Sequence, residues 1–239
     1  MTTILLDGDI LAYRSAFYHE VAEDRGDGYW TWTCDIEKVK DSIDETIEMY
    51  QDKLRAGEFI LCLSDTVNFR HSIDTTYKGN RASVKRPVVL KPIREWLINE
   101  RQAVIYPTLE GDDTLGILQT SRDHTIIVSM DKDMAGVPGK FHRSNSVGTV
   151  EVSREQAQYF HYFQTLCGDA VDGYKGCPGV GSVGAKKLLD KDCSWETVLS
   201  AYEKVGLTSE EALVQARLAK ILTKEWYDFE NKKPIMWTP

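Results

Sequence analysis

The chain has 239 residues, 42% hydrophobic and 28% charged, which is the balance of an ordinary globular protein of one large domain or two small ones, with no apolar run long enough to cross a bilayer and an acid at Asp7 where a secretory leader would need an apolar stretch. Its five cysteines (34, 62, 167, 177 and 193) are odd in number and form no CxxC pair, so neither a disulfide framework nor a zinc knuckle is suggested, and a reducing, cytoplasmic setting fits best. The formal net charge of −8 speaks against nucleic acid, unless many of the acids converge on bound metal.

In chain order, residues 3–6 (TILL) read as a short apolar strand that ends at Asp7. A helix is expected from Ile10. A second is expected from Asp35, because Ile36, Val39, Ile43, Ile47, Tyr50 and Leu54 recur at steps of three and four; Asp35 would cap it and Gly57 would stop it. Residues 59–63 (FILCL) read as the next strand, with Asp65 just beyond. Pro87 and Pro92 interrupt the following segment, in which residues 90–99 read as helical. Strands are expected at 103–106 (AVIY), 125–128 (TIIV) and 146–152 (SVGTVEV), with helices starting near Asp112 and Ser153. From Gly168 to Tyr227 the chain reads as helices with short turns. The alternation predicts an α/β fold with a mainly parallel central sheet flanked by helices, and a helical C-terminal region beside it.

With 37 acids in the chain, a single Asp is ordinarily a solvated turn or a helix cap. Position separates some from the rest. Asp7 and Asp65 follow strands, Glu110, Asp112 and Asp113 lie between a strand and a helix, and Asp131 and Asp133 directly follow TIIV. Ligands of open α/β sheets bind beyond the carboxyl ends of the strands, so these acids can converge. The spacing of Asp131 and Asp133 suits a turn facing one ion, and that of Asp169 and Asp172 suits one helical face. Oxygen ligands without His or Cys select Mg²⁺ or Mn²⁺, and two such ions are the usual apparatus for attack at a phosphodiester. The five histidines have no ligand spacing, and no Ser/His/Asp or Cys/His nucleophile is signalled.

Five segments in order, LLDGDILAYR, LSDTVNFRHSIDTTYKGNR, LEGDDTLGIL, IVSMDKDM and GDAVDG…GVGSVGAKKLL, resemble those of the 5′ nuclease family of flap endonucleases and 5′–3′ exonucleases, its stand-alone phage-type members most of all. The resemblance spans nearly the whole chain. It implies a PIN-like core over residues 1–152, with a short arch at about 78–102, and a helical DNA-binding region of helix–hairpin–helix type over 153–239, packed with the core as one unit. It also implies a metal cluster of Asp7, Asp65, Glu110, Asp112, Asp113, Asp131, Asp133, Asp169 and Asp172. Setting those nine charges aside leaves +1 for the rest of the chain, which removes the electrostatic objection.

By the same resemblance, Lys78 and Arg81 of YKGNR stabilise charge at the scissile phosphate, Tyr77 offers a face to an unpaired base, and Arg86 lies on the basic side of the arch. Gly179, Gly181 and Gly184 with Lys186 and Lys187 seat a duplex without reading its sequence, and K⁺ is expected at that glycine-rich hairpin. The expected activity is two-metal-ion hydrolysis of DNA at free 5′ ends or 5′ flaps, with RNA primers as further substrates, by a monomer in the cytoplasm (of the host, if the chain is phage-encoded) with no membrane association. The alternatives are a PIN-type ribonuclease, which lacks the glycine hairpin, and a non-catalytic module for branched DNA, which gains nothing from clustered acids. Asp9, where the family has a small polar residue, and Val183, where it often has lysine, depart from the pattern.

Overall fold

Ile4, Leu5 and Leu6 are apolar on both faces of their strand, as a strand between two helix layers must be, and all three are buried. They lie in β1 (Thr2–Asp7). The structure, a computed structural model, describes residues 1–81, 83–144 and 148–239. Asp7 ends β1 and caps α1 (Gly8–His19), its carboxylate accepting the Ile10 N–H at 2.9 Å. An antiparallel hairpin follows, β2 (Glu20–Asp24) against β3 (Trp30–Cys34). The sequence reading has no strands there, because neither strand buries a face to impose an alternating pattern.

In α2 (Ile36–Leu54), Val39, Ile43 and Ile47 are buried and Asp35 caps the first turn through the Glu37 N–H. The helix stops at Arg55, left-handed at φ 52°, and not at Gly57. Gly57 belongs to β4 (Ala56–Cys62), where the Met1 side chain lies against it and leaves no room for a Cβ. Beyond β4 come α3 (Arg70–Ile73) and α4 (Leu90–Asn99). Of the strand expected at 103–106 only a bridge between Val104 and Cys62 forms.

The remaining sheet elements are α5 (Gly111–Ser121), β5 (Thr125–Val128), β6 (Gly139–Ser144) and β7 (Gly148–Val152). The strand expected at 146–152 is present from Gly148; Ser146 and Val147 lie outside the described residues, as does Ala82 of the arch segment. β6 occupies a stretch the sequence reading left without an element. The sheet order is β4-β1-β5-β6-β7, with parallel pairs up to β6 and β7 antiparallel at the edge. Alternation along β1 feeds both layers: Ile4 and Leu6 pack with Ile43, Ile93 and Leu97, while Leu5 packs with Leu115, Ile127 and Phe141 on the other side. Asp7 pairs in register with Cys62, and Leu6 with Val128, so the carboxyl ends of β1, β4 and β5 lie level.

The C-terminal helices are α6 (Arg154–Cys167), capped by Ser153 and Gln156 reciprocally, α7 (Ser182–Leu189), α8 (Trp195–Glu203) and α9 (Ser209–Ala219). They share an apolar cluster that includes Leu166, Leu189, Val198, Tyr202 and Ala216. Among the described residues no helix is long and apolar enough to cross a membrane.

Between α6 and α7 the backbone doubles back on itself at Gly168 and Gly176, both at positive φ (69° and 66°); a Cβ on Gly176 would lie 2.2 Å from the Gly168 nitrogen. Gly176→Ala is therefore expected to cost about 3 kcal/mol, in the denaturant midpoint, from backbone overlap and a left-handed alanine together. Gly179→Ala, equally left-handed but in open space, is expected to cost only about 1 kcal/mol.

Candidate active site

The level strand ends gather the acids. Asp7, Asp65, Glu110, Asp112, Asp131 and Asp172 line one cleft of about 850 Å³, together with Lys78, Arg81, Arg86 and Arg94. Asp7 is 6% exposed and accepts the Ser129 hydroxyl at 2.8 Å. The same hydroxyl oxygen accepts the Asp131 N–H at 3.0 Å, so one serine fixes the approach of two carboxylates. Asp131 in turn caps the short 3₁₀ turn at Lys132–Gly136 by accepting the Asp133 N–H at 2.8 Å.

Burial pushes the Asp7 carboxyl up to about 6, its two hydrogen bonds only partly opposing this and Asp131 adding repulsion. Burial, with Asp7 and Asp131 as like-charged neighbours, holds Asp112 well above the usual carboxylate range. Burial and then Asp131 raise Asp133 to about 7. Other acids are held ionised. The Thr108 and Thr66 N–H groups, at 2.7 and 2.6 Å, hold Asp65 below its ordinary value. Burial would raise Glu110, but Arg70 and Lys78 outweigh it and bring the carboxyl to about 2.

Cations occupy the other side of the cleft. The Lys78 ammonium pairs with Glu110 and lies 3.6 Å from Asp172; burial would lower its pKa, yet these acids raise it and keep it protonated. Lys78 sits at φ 55°, held there by its N–H to the Asp172 carbonyl at 2.8 Å. Arg81 pairs with Asp172, and Lys132 with Asp169 at 3.2 Å. Asp169 and Asp172 are not on a helical face: they belong to a closed turn in which Asp169 pairs with Tyr174 and its carboxylate accepts the Val171 N–H at 2.7 Å. The glycine at 173 lets the chain turn there at φ 81°, where a continuing helix would carry the second acid away.

Two further residues are placed differently from the expectation. Asp113 does not face the cleft. It is wholly buried, and its two oxygens take Arg70 at 2.6 and 2.8 Å, the Leu222 N–H at 3.0 Å and the Glu110 N–H at 3.2 Å, which leaves no lone pair for an ion. Tyr77 offers no stacking face: it is 2% exposed, and its hydroxyl lies 3.1 Å from Glu110 and 3.2 Å from Asp172. Tyr77→Phe, which keeps the ring, is expected to slow cleavage about tenfold through the lost hydrogen bonds to charged acceptors. A stacking role predicts no change, so the single-turnover rate of this variant decides between them.

The hairpin residues stand apart from the cleft. Gly179 and Gly181 are exposed, and Gly181 precedes α7 with no side chain capping the helix, so the first N–H groups of α7 face solvent; Lys186 and Lys187, in its last turn, are exposed too. A Cβ on Gly184 would lie 3.6 Å from the Val180 side chain. Sequence reasoning missed Arg70, Ser129 and Lys132, which hold the acids in place, and read Arg94 only as part of the basic face of the arch; the only signal for the first three was a lone basic or hydroxyl residue near an acidic motif.

Among the described residues no three Asp, Glu, His or Cys side chains are arranged to hold an ion as they stand. Lysine and arginine pair instead with Glu110, Asp172 and Asp169. The donor chemistry nevertheless fits a hard divalent cation: the ligands are oxygens only, and Asp7, Asp112, Asp131 and Asp133 repel one another in a buried setting that a cation would relieve.

Residues 2–158 match the family model for the N-terminal resolvase-like domain of 5′–3′ exonucleases. The chain belongs to the 5′–3′ exonuclease family. It is 26% identical to the exodeoxyribonuclease of Enterobacteria phage T3, over 99% of this chain and 92% of the relative. It is equally identical to the exonuclease of Escherichia phage T7, over 99% of this chain and 93% of the relative. Its fold is also that of the D15 protein of phage T5, solved with metal ions, at a TM-score of 0.68 and 15% identity over 92% of this chain and 90% of the other. The parallel sheet with its helical C-terminal region is thus the fold of this family, as the sequence predicts.

Proposed function

We propose that this chain is a structure-dependent 5′–3′ exonuclease and flap endonuclease that hydrolyses DNA phosphodiesters with two divalent ions, Mg²⁺ or Mn²⁺. The observation that carries the reading is the cleft at the strand ends, where mutually repelling carboxylates stand opposite Lys78 and Arg81. The T3 and T7 relatives, an exodeoxyribonuclease and an exonuclease, support DNA as the substrate. Bound among the carboxylates, a pair of divalent ions supplies an activated water and charge neutralisation for in-line displacement at phosphorus.

The chain's own residues do the rest. Asp7, Asp112 and Asp131, with Glu110 and Asp172, form the acidic wall that would hold the ions. Asp65 is kept ionised by backbone N–H groups and Asp133 stands behind Asp131, braced by the Gln164 amide at 2.8 Å. Lys78 and Arg81 pass from their carboxylate partners to the phosphate oxygens as charge develops there. The open N-terminus of α7, with Lys186 and Lys187, grips a duplex phosphate so that the 5′ strand reaches the cleft. In this reading residues 1–152 are the catalytic core and 153–239 the duplex-binding region. The two are packed as one unit, as the Leu222 carbonyl seated against Gly116 of α5 supports.

A 5′-labelled flap substrate, incubated with Mg²⁺ or with EDTA, tests the proposal. Products of flap length and shorter, formed only with the metal, are expected. No cleavage of flapped or blunt duplexes with Mg²⁺ or Mn²⁺ would sink it. Preferential cutting of an all-RNA substrate would favour the ribonuclease reading, and an RNA-tipped flap in the same series reads out primer removal.

A further inference from the structure

Asp9 is an additional acid in the first turn of α1, directly after β1, and the metal pattern has no use for it. Its contacts are unlike those of the other carboxylates. Oδ2 accepts the Ser64 N–H at 2.7 Å, and Oδ1 forms an ion pair with Arg94 of α4. Arg94 also donates to the Ser64 carbonyl at 2.7 Å. The start of α5 closes on the same group: a Cβ on Gly111 would lie 3.1 Å from Asp9 Oδ2. Thus the segments after β1, after β4 and before α5, all of which carry cleft acids, meet the arch helix at one pair of side chains.

Both side chains border the cleft, and Asp9 is the only carboxylate with which Arg94 pairs among the described residues. Without Arg94, Asp9 would present an unbalanced charge beside six other cleft acids, at the place where a phosphate must enter. At separations of several ångströms and an intermediate dielectric, one such charge is enough to matter for an anionic substrate.

We propose that Arg94 is a positioning residue for DNA cleavage, acting through Asp9: it docks α4 on the acidic platform and cancels the Asp9 charge, and it does not itself touch the scissile phosphate. This rests on the nuclease reading above. The pair also accounts for an acid at position 9, where the family pattern has a small polar residue.

A cycle of variants tests it. Arg94→Ala is expected to raise KM for a 5′ flap about tenfold, with a smaller change in kcat, and to weaken binding of the same DNA about tenfold in EDTA, read by fluorescence anisotropy. Adding Asp9→Asn should return both values to within about threefold of the unmodified protein, because the uncompensated charge is then gone. Arg94→Lys, which keeps the charge, should stay within the same threefold. If Arg94→Ala gives no cooperative thermal transition, Arg94→Gln carries the cycle in its place. A double variant as weak as the single one would overturn the proposal and make Arg94 a direct DNA contact; an Arg94→Ala protein indistinguishable from the unmodified one would overturn it by showing that Arg94 has no part in binding or cleavage. A protein that cuts nothing before any substitution strikes the nuclease reading instead.

Discussion

Replacing Asp131 and Asp133 together by asparagine is expected to abolish cleavage while making the metal-free fold more stable. Loss of two carboxylates from the acidic wall removes several kcal/mol of transition-state stabilisation, at least about a thousandfold in rate. Duplex binding, which the reading assigns to α7, should be spared. The gain in stability follows from the pKa values. Asp133 is raised to about 7 in the folded protein, against an ordinary value of 3.8. Between those values the folded chain holds a proton that the unfolded chain has released, so stability falls as pH rises from about 4 to 7 and stays lower above 7. Asp7, raised to about 6, adds to the same trend. With partial screening by water, removing the Asp133 charge is expected to gain on the order of 1–2 kcal/mol at pH 8 in EDTA and little at pH 4. Urea denaturation at the two pH values, beside single-turnover cleavage in Mg²⁺, measures both halves. A variant inactive but less stable at pH 8 would show that repulsion among these acids is not what the fold carries.

Arg70→Met is the second large effect, and it falls on stability. The guanidinium is 2% exposed, bidentate to wholly buried Asp113, and 3.2 Å from Glu110. It also donates to the Leu218 carbonyl at 3.0 Å and the Lys220 carbonyl at 2.5 Å, tying the end of α9 to the start of α5. Removing it leaves Asp113 charged and uncompensated in the interior, at an expected cost of 3–5 kcal/mol. Converting Asp113 to leucine in the same chain should recover most of that loss, since the pair itself is worth little against an apolar replacement. The denaturation midpoints of the single and double variants give the answer. Failure of the double variant to recover would assign the cost to the backbone groups the pair serves, the two carbonyls at Arg70 and the Leu222 and Glu110 N–H groups at Asp113.

The same two regions mark what could be read from the chain. Helix α2 was legible because a long amphipathic period has one solution, and α4 because Pro87 and Pro92 bracket its start. Strands β1 and β5 were legible as short apolar runs between turns. The hairpin at Glu20–Asp24 and Trp30–Cys34 was not, because strands exposed on both faces carry no burial pattern. Residues 103–106 have strand composition, but only Val104 pairs with the sheet. Asp169 and Asp172 have helical spacing, yet a glycine turn holds them together.

The α/β class, the strand-end positions of the acids and the family are legible in the chain alone, because each depends on local pattern and on the order of motifs along it. Only the tertiary structure decided which acids share the cleft. Asp112 and Asp113 are neighbours in sequence on one helix, but successive helical positions point about 100° apart: one faces Asp7 and Asp131, and the other faces Arg70. Tyr77 and Asp9 illustrate the same point. A residue's partner, and so its charge state and its use, is fixed by what a distant segment brings to it, and local pattern holds no record of that.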